Sequence, residues 1–335
     1  MRGVTATVLC TLALPAPFPA AIEARAAIDV VGAIPSPADL QGLLREGVDV
    51  LCPQLRDRID GAVLDAGLPR LRAVCNYAVG FDNVDVPAAT ERGIVVTNTP
   101  GVLTDATADC AVGLMLAAAR RLCEGDREMR AGRYTGWEPE YLLGLDLNGA
   151  TLGVVGFGRI GQAVARRALA FEMSVLYVED GDVPIDPALA GRVRRVDFDT
   201  VVREADVISL HTPLTSQTRH LVGEDVLRRM KPTSVLVNTS RGPVVDEAAL
   251  VRALREGWIA AAGLDVYERE PAMAPGLAEC RNAVLAPHLG SATVKTRAAM
   301  ARLCADNALA ALDGRMPPTA LNPEAWSGGA PPPVS

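Results

Sequence analysis

The chain has 335 residues, too many for one compact core, so its length predicts two domains. Hydrophobic residues make up 49% and charged residues 22%, which is an ordinary globular composition. The formal net charge of −7 argues against nucleic acid or an anionic membrane as the main partner and leaves a small metabolite as the candidate ligand.

Seven cysteines are scattered along the chain and form no Cys-x-x-Cys pair. An odd number without paired spacing indicates free thiols in a reducing compartment, so we expect a cytoplasmic protein. Only three histidines are present, and this excludes a metal site built from several of them. We therefore expect no metal.

The first 27 residues allow two interpretations. The apolar stretch Val4–Leu14 with the Ala/Pro run after it imitates a secretory signal, whereas Val4–Leu12 can also be a first strand followed by a short helix. A single charge at Arg2 and the free thiols favour the strand. Further on, the apolar run Ala111–Ala119 is shorter than the roughly 18 residues of a membrane span.

Strands alternate with helices along the chain, the pattern of an α/β protein with parallel sheets covered on both faces. In the first part, Leu71–Ala78 is a predicted buried strand, residues 80–83 a turn, and Thr104–Arg121 a long helix. A final helix is predicted over Thr293–Leu312, and the Gly/Pro-rich tail from Ser327 is expected to be disordered. The second set of predicted strands is Thr151–Val155, Ser174–Val178, Val193–Val196, Val207–Leu210, Ser234–Asn238, Ala260–Leu264 and Ala283–Ala286.

A glycine motif, Gly156-Phe157-Gly158-Arg159-Ile160-Gly161, directly follows the strand at Thr151. Alone such a motif is weak, but between a strand and a helix it is typical of a dinucleotide site, where glycines let the backbone approach a pyrophosphate at the helix N-terminus. The alternative is a purely structural turn.

An acidic pair, Glu179-Asp180, ends the next strand. A carboxylate there accepts hydrogen bonds from the adenosine ribose and repels a 2′-phosphate. No Arg or Lys occupies positions 179–182, so NAD(H) is favoured over NADP(H). The alternative for Glu179 is a solvated loop carboxylate.

Reactive side chains follow three later strands, at the sheet edge where open α/β sheets bind ligands. They are Arg241, the acidic residues Glu268 and Glu270, and His288. Each alone has a simple structural explanation, as a surface charge, a loop residue or a hydrogen-bonded histidine. Their occurrence after successive strands favours a shared site.

Several segments resemble the D-isomer-specific 2-hydroxyacid dehydrogenase family over almost the whole chain, and most closely its glyoxylate and hydroxypyruvate reductases. The residues from Trp137 to Pro139 add to the likeness with that branch. The segments that carry the resemblance are Asn76–Asn83, Thr97–Pro100, Thr104–Asp109, Gly156–Gly161, Asn238–Gly242, Gly263–Tyr267 and Ala286–His288.

The resemblance implies a Rossmann NAD-binding domain at residues 99–287, inserted into a flavodoxin-like substrate domain at 1–98 and 288–326. It implies that Arg241 binds the small 2-oxo acid, that His288 donates the proton and that Glu270 is its partner. These residue types suit the reaction, because reduction of a ketone needs an acid near its oxygen and a planar cation for the carboxylate.

The same resemblance implies the remaining ligands and a homodimer. Trp137 either reaches the active site of a neighbouring subunit or packs between domains. His211 is expected to line the cofactor cleft, and His220 to have a structural role. The implied substrate-binding residues are Leu55, Val79, Gly80, Trp137 and Arg241. The implied cofactor-binding residues are Thr104, Gly156, Gly158, Arg159, Ile160, Gly161, Glu179, Asp180, His211, Thr212, Pro213, Thr239, Ser240, Asp265 and Gly290.

Three alternatives share these motifs. Phosphite dehydrogenases place a lysine where this chain has Val79, and 3-phosphoglycerate dehydrogenases usually add a C-terminal regulatory domain. An NAD(H)-sensing corepressor would be a binding protein and not an enzyme. The charge pattern of the chain indicates no docking surface for that role.

Overall fold

A computed structural model describes residues 6–327 of the chain. The chain divides into two compact units: one runs to Leu103 and resumes at Thr293, and the other is the inserted segment Thr104–Ala292. The boundaries expected from the sequence, after residues 98 and 287, fall a few residues earlier. As a consequence His288, expected at the start of the returning segment, belongs to the inserted unit.

The first unit is built on five parallel strands in the order 2-1-3-4-5. This order is the flavodoxin-like one that the resemblance implies. The predicted N-terminal strand is confirmed within the described residues, where it lies between two neighbours. The strands of the first unit are β1 (Thr7–Cys10), β2 (Ala27–Val30), β3 (Val50–Cys52), β4 (Ala73–Cys75) and β5 (Val95–Thr97).

Short helices connect these strands, and polar residues fix where several of them begin. The Ser36 side chain accepts from the backbone N–H of Asp39, and the Asp39 side chain accepts from that of Ser36, a capping box that satisfies two N–H groups at the helix start. Asp60 and Asp85 cap the two helices that follow. The helices are α1 (Phe18–Glu23), α2 (Pro37–Arg45), α3 (Gly61–Gly67) and α4 (Val86–Glu91).

Four cysteines meet in the core of this unit. Cys10 and Cys52 are register neighbours on β1 and β3, Cys75 ends β4, and the Sγ of Cys304 donates to the carbonyl of Cys75 at 3.4 Å. All four are buried and free. Hydrogen bonding to the other three thiols, together with burial, raises the pKa of Cys52 well above its usual value.

The inserted unit contains a seven-stranded parallel sheet, and its strand order is that of the dinucleotide-binding folds, with one further strand. All seven strands match the predicted ranges to within one residue. They are β6 (Thr151–Val155), β7 (Ser174–Val178), β8 (Val193–Arg195), β9 (Val207–Leu210), β10 (Val235–Asn238), β11 (Ala261–Leu264) and β12 (Ala283–Leu285), in the order β12-β11-β10-β9-β6-β7-β8.

Helices surround this sheet. The long helix predicted to reach Arg121 ends at Ala119, because Arg121 adopts a left-handed conformation, with φ of 52°, before the next helix begins. The helices are α5 (Thr104–Ala119), α6 (Leu122–Arg130), α7 (Arg159–Ala170), α8 (Phe198–Glu204), α9 (Glu224–Arg229) and α10 (Glu247–Glu256).

The chain then returns to the first unit with α11 (Val294–Leu312), whose start is capped by Thr293. In the described part of the chain no helix has both the length and the apolar character that crossing a membrane requires. The predicted disordered tail beyond Ser327 lies outside the described residues.

Candidate active site

The predicted cofactor residues lie at one edge of the seven-stranded sheet. Because its strands are parallel, the segments that follow β6, β7, β9, β10, β11 and β12 all emerge at their carboxyl ends. Those segments contain the glycine motif, Glu179-Asp180, His211–Pro213, Thr239–Arg241, Asp265 and His288–Gly290. Thr104 opens α5, one turn before Thr107, which lies beside Gly290.

Close packing dictates two of the three motif glycines. Gly156 has a φ of +89°, and a Cβ there would lie 2.7 Å from the backbone of His211. A Cβ on Gly161 would lie 2.2 Å from the carbonyl oxygen of Gly156. These contacts fix the tight turn between β6 and α7 and the close packing of the helix against it.

Gly158 is different, because a Cβ there would meet open space. It is the N-cap of α7, a helix of 12 residues whose first N–H groups receive no side-chain cap from it. Near the same sheet edge, the hydroxyl of Thr239 is buried without a hydrogen-bond partner. An open glycine at a helix N-terminus and a buried unsatisfied hydroxyl both fit a bound dinucleotide.

Glu179 is joined to the glycine turn. Its Oε2 accepts a hydrogen bond from the backbone N–H of Phe157 at 2.6 Å. A carboxylate has acceptor sites on both oxygens, so Oε1 can still accept from ribose hydroxyls. The structure thus gives Glu179 a fixed position at the turn, which a solvated loop carboxylate would not have.

Arg195, which the sequence analysis did not identify, lies beside the acidic pair. Its guanidinium donates to the backbone carbonyl of Glu179 at 2.5 Å and to that of Gly181 at 3.2 Å. It ends β8, which pairs with β7, so the sheet brings it close although it is distant in sequence. The local sequence at residues 179–182 therefore gives no sign of this cation.

His288 and Glu270 form a hydrogen-bonded pair. The Nδ1 of His288 lies 2.9 Å from Oε2 of Glu270, and both side chains are about one-third exposed. The other Glu270 oxygen accepts from the backbone N–H of Tyr267 at 3.1 Å. An ionised carboxylate only accepts, so Nδ1 carries a proton and Nε2 is the ring nitrogen on which a proton can come and go.

The surroundings of Glu270 keep it ionised. Burial would raise its pKa, but the hydrogen bond and charge of His288, the Tyr267 N–H and the charge of Arg241 together lower the pKa below its ordinary value. The buried Asp265 adds a further carboxyl nearby, and burial raises the pKa of that group despite two backbone hydrogen bonds. Glu270 is therefore the charged partner of His288 at neutral pH.

The other two histidines have different surroundings. Burial lowers the pKa of His211 to about 4, so its imidazole is neutral at pH 7, and its Nε2 lies 2.8 Å from the hydroxyl of Ser209. His220 pairs with Glu268 at 2.9 Å. Of the two acidic residues that follow β11, only Glu270 contacts His288 among the described residues.

A hydrogen-bonded turn holds the backbone at Arg241. The side chain of Asn238, which is 1% exposed, accepts from the backbone N–H and hydroxyl of Ser240 and donates to the carbonyl of Arg241. The Arg241 guanidinium donates to the Ser240 carbonyl at 2.8 Å. Asn238 was identified in sequence only as part of a strand and a family segment, and the structure shows that it shapes this turn.

The next residue, Gly242, brings together the segments that carry Arg241 and Glu270. A Cβ on Gly242 would lie 1.8 Å from the carbonyl of Tyr267 and 2.4 Å from the backbone nitrogen of Glu268. The chain after Arg241 therefore packs backbone against backbone on the segment that carries Glu270. Only glycine permits this approach.

Asp265 holds the turn of His288. It is fully buried, and its two oxygens accept from the backbone N–H groups of Leu289 at 2.6 Å and Gly290 at 2.7 Å. His288 itself has a φ of +57°, a left-handed conformation that costs energy for a residue with a side chain. Asp265 compensates by fixing the residues that follow; its role as a cofactor ligand stays a prediction.

The other predicted substrate residues fall elsewhere. Leu55, Val79 and Gly80 belong to the first unit, where side-chain amides of Asn98 and Asn76 donate to the carbonyls of Val79 and Gly80 at 2.8 Å each. Trp137 is 81% exposed, and both interpretations of it stay predictions.

Comparison with known proteins identifies relatives of this arrangement. Residues 112–290 match the family described as D-isomer specific 2-hydroxyacid dehydrogenase, NAD binding domain. The chain is 49% identical to the glyoxylate reductase of Thermococcus litoralis over 288 residues, which are 85% of this chain and 86% of that protein.

Solved structures extend the likeness to the whole fold. The TT0316 protein from Thermus thermophilus superposes with a TM-score of 0.87 at 45% identity, covering 94% of this chain and 99% of that one. An NADPH-dependent glyoxylate/hydroxypyruvate reductase from Sinorhizobium meliloti, in complex with NADP and malonate, superposes with a TM-score of 0.84 at 33% identity, covering 99% of each chain.

Proposed function

The chain belongs to the D-isomer-specific 2-hydroxyacid dehydrogenase family, and from this premise we propose that it reduces a small 2-oxo acid to the 2-hydroxy acid with NADH. The observation that carries the proposal is the His288–Glu270 pair at the same sheet edge as Arg241 and the glycine turn. Glyoxylate is the first candidate substrate, because a relative that is 49% identical is named glyoxylate reductase. Hydroxypyruvate is the second, because a similar solved structure is named glyoxylate/hydroxypyruvate reductase.

In the proposed reaction Arg241 binds the carboxylate of the substrate. A planar guanidinium offers parallel N–H groups to a carboxylate, and its bond to the Ser240 carbonyl fixes how the side chain leaves the turn. The same cation stabilises negative charge that develops on the carbonyl oxygen next to the carboxylate. For Val79 and Gly80, a role in binding the carboxylate stays a proposal from the resemblance.

The proton comes from His288. The nicotinamide, when bound, supplies a hydride to the carbonyl carbon. Nε2–H of the His288 imidazolium donates its proton to the carbonyl oxygen, and the imidazole is left neutral with Nδ1–H on Glu270. Because His211 is already neutral at pH 7, it cannot serve as the acid.

The test of the proposed function is a substrate screen. Purified enzyme is mixed with NADH and glyoxylate, hydroxypyruvate, pyruvate or 3-phosphohydroxypyruvate, and loss of NADH absorbance is recorded; phosphite with NAD tests the phosphite dehydrogenase alternative. We expect turnover with glyoxylate and hydroxypyruvate. Tight NADH binding without turnover of any compound would favour a nucleotide-sensing protein instead.

We expect NADH to be preferred over NADPH in kcat/KM, because Glu179 at the glycine turn repels a 2′-phosphate. Arg195 limits the preference, since its guanidinium, bonded to the carbonyls of Glu179 and Gly181, is a cation beside the acidic pair that can bind a phosphate. Arg195→Gln is therefore expected to weaken NADPH use and to leave NADH use nearly unchanged. A higher kcat/KM with NADPH in the wild type would show that Glu179 has another role.

The charge of Glu270 sets the pH range of the reaction. Its pKa is lowered, so the pair with His288 is complete at neutral pH and is lost only on acidification below the range where an ordinary glutamate protonates. Glu270→Gln removes the charge that favours the imidazolium. The alkaline limb of kcat/KM for reduction is expected to move to lower pH, and a profile identical to the wild type would contradict the pairing.

A homodimer is the proposed assembly. Six large apolar side chains that are more than one-third exposed occur between residues 122 and 143, among them Trp137. Two of them, Tyr141 and Leu143, line a cavity of about 930 Å³. An exposed apolar patch of this kind is typical of a protein interface. Sedimentation equilibrium is expected to give twice the 35.2 kDa chain mass, and a single-chain mass at micromolar concentration would contradict it.

The cytoplasm is the proposed location. All seven cysteines are free in the structure, as expected for a protein kept in a reducing compartment.

A further inference from the structure

Glu247 is a buried carboxylate beside the loop that carries Glu270. It is 3% exposed and stands at the start of α10, directly after the N-cap Asp246. Its Oε1 accepts from the backbone N–H of Glu268 at 2.6 Å, and its Oε2 accepts from that of Ala274 at 2.8 Å. Both oxygens of one buried group are thus used by a single neighbouring loop.

The two N–H groups lie on either side of Glu270. The loop leaves β11 after Leu264, passes Glu268 and Glu270, and turns back through a bridge between Arg269 and Ala272. Glu247 joins the beginning of this loop to its end. The position of Glu270 relative to His288 therefore depends on the carboxylate at position 247 as well as on the bond from Tyr267.

Glu268 adds a bond in the opposite direction. Its Oε2 accepts from the backbone N–H of Glu247 at 3.4 Å, and its Oε1 pairs with His220. The start of α10 and the loop are thus bonded reciprocally. The Glu268 side chain is turned toward α10 and His220, which leaves Glu270 as the carboxylate at His288.

We propose that Glu247 is a positioning residue: by accepting both flanking N–H groups, it holds Glu270 so that its Oε2 meets Nδ1 of His288. The proposal rests on the proposed function for its kinetic consequence, but the geometry that it describes exists without substrate. Glu247 acts through the loop, since both of its oxygens are engaged by backbone N–H groups of that loop.

Glu247→Gln tests the proposal with almost no change of volume. The amide oxygen of glutamine can accept from only one of the two N–H groups. The amide NH₂ then faces the remaining N–H group, and two donors cannot bond to each other, so one end of the loop is released. We expect kcat for 2-oxo acid reduction to fall by about 10- to 100-fold, because small misplacements of catalytic groups have effects of this size. The NADH dissociation constant should stay within about twofold, and the alkaline limb of the pH profile should move in the same direction as in Glu270→Gln.

A second measurement needs no turnover. The ¹⁵N shifts of imidazole nitrogens distinguish the two neutral tautomers, and the chain has only three histidines to assign. At about pH 9, where an ordinary imidazole is neutral, wild-type His288 should be protonated at Nδ1. Glu247→Gln should give a mixture of tautomers, and Glu247→Asp, which keeps the charge but is too short to reach both ends, should be intermediate.

Asp206→Asn is the matched control. Asp206 is a partly buried carboxylate that accepts from the backbone N–H of Thr151 and pairs with Lys231, and it precedes β9 at the opposite edge of the sheet. This variant should lower the midpoint of thermal unfolding as Glu247→Gln does, without changing the tautomer or the pH profile. If Glu247→Gln lowers only the midpoint of thermal unfolding, and the His288 tautomer and the pH profile stay as in the wild type, the positioning role is wrong. If the wild-type protein reduces no 2-oxo acid, the proposed function fails while the tautomer result still decides the role of Glu247.

Discussion

Replacement of His288 by Gln is expected to lower kcat for 2-oxo acid reduction by about 10²- to 10⁴-fold, the range that general acid catalysis contributes. Glutamine keeps much of the side-chain volume and one hydrogen-bonding end, so Glu270 retains a partner for its Oε2. It cannot deliver a proton to an alkoxide, because an amide N–H is far too weak an acid. NADH binding, measured by fluorescence titration, should be nearly unchanged.

His220→Gln provides the matched control, because His220 also pairs with a glutamate at 2.9 Å. We expect it to keep kcat within a few-fold of the wild type. Equal loss of turnover and NADH binding in His288→Gln would count against the acid role and would indicate that His288 mainly shapes the cofactor site.

Gly242→Ala is expected to lower activity strongly as well, by displacing the backbone and not by removing a reactive group. The added Cβ would lie 1.8 Å from the Tyr267 carbonyl, so either the Arg241 turn or the Glu270 loop has to move. Overpacking of this kind destabilises by about 1–3 kcal/mol, and a shift near 1 Å between catalytic groups costs on the order of 10² in kcat/KM. Thermal unfolding and steady-state kinetics on the same preparation measure both effects.

Gly113→Ala separates this clash from the general effect of removing a glycine. Gly113 lies within α5, and a Cβ there meets nothing within 4 Å. Alanine in a helix interior should stabilise by up to about 1 kcal/mol and leave kinetics unchanged. Wild-type activity in Gly242→Ala would mean that the two backbones can separate without disturbing Arg241 or Glu270.

Local patterns predicted much of the inserted unit. Apart from the exposed β8, its strands are short and largely apolar runs that are mostly buried, and such runs are easy to delimit when helices separate them. The glycine motif could be assigned because its strand and helix are adjacent in sequence. In the first unit the predicted strand Leu71–Ala78 was too long: β4 ends at Cys75, where the chain turns and Ala78 bonds back to Asn76.

The remaining parts of the site depend on contacts between distant residues. Arg195 reaches Glu179 only because β8 pairs with β7, and Glu247 reaches Glu268 across 21 residues. Asp265 was assigned by resemblance as a ligand of the cofactor, and nothing in its local sequence indicates that both its oxygens hold the turn after His288. Periodicity and spacing carry no information about such partners, because these contacts form only when the chain folds.

The four buried cysteines of the first unit allow the unfolding of that unit to be measured by thiol labelling. A thiolate is the species that reacts with a disulfide reagent, and in the folded unit Cys10, Cys52, Cys75 and Cys304 are shielded from solvent. Labelling therefore has to wait for this unit to open, at a rate set by how often it does so. In the inserted unit, Cys123 is partly exposed and reacts independently of that event, whereas Cys280 is buried and reports the opening of its own unit. Burial raises the pKa of Cys110 to about 11, so this partly exposed thiol reacts slowly. Locating the labelled thiols by peptide mass over time would then report the opening of one unit separately from the other, in the unmodified protein and under native conditions.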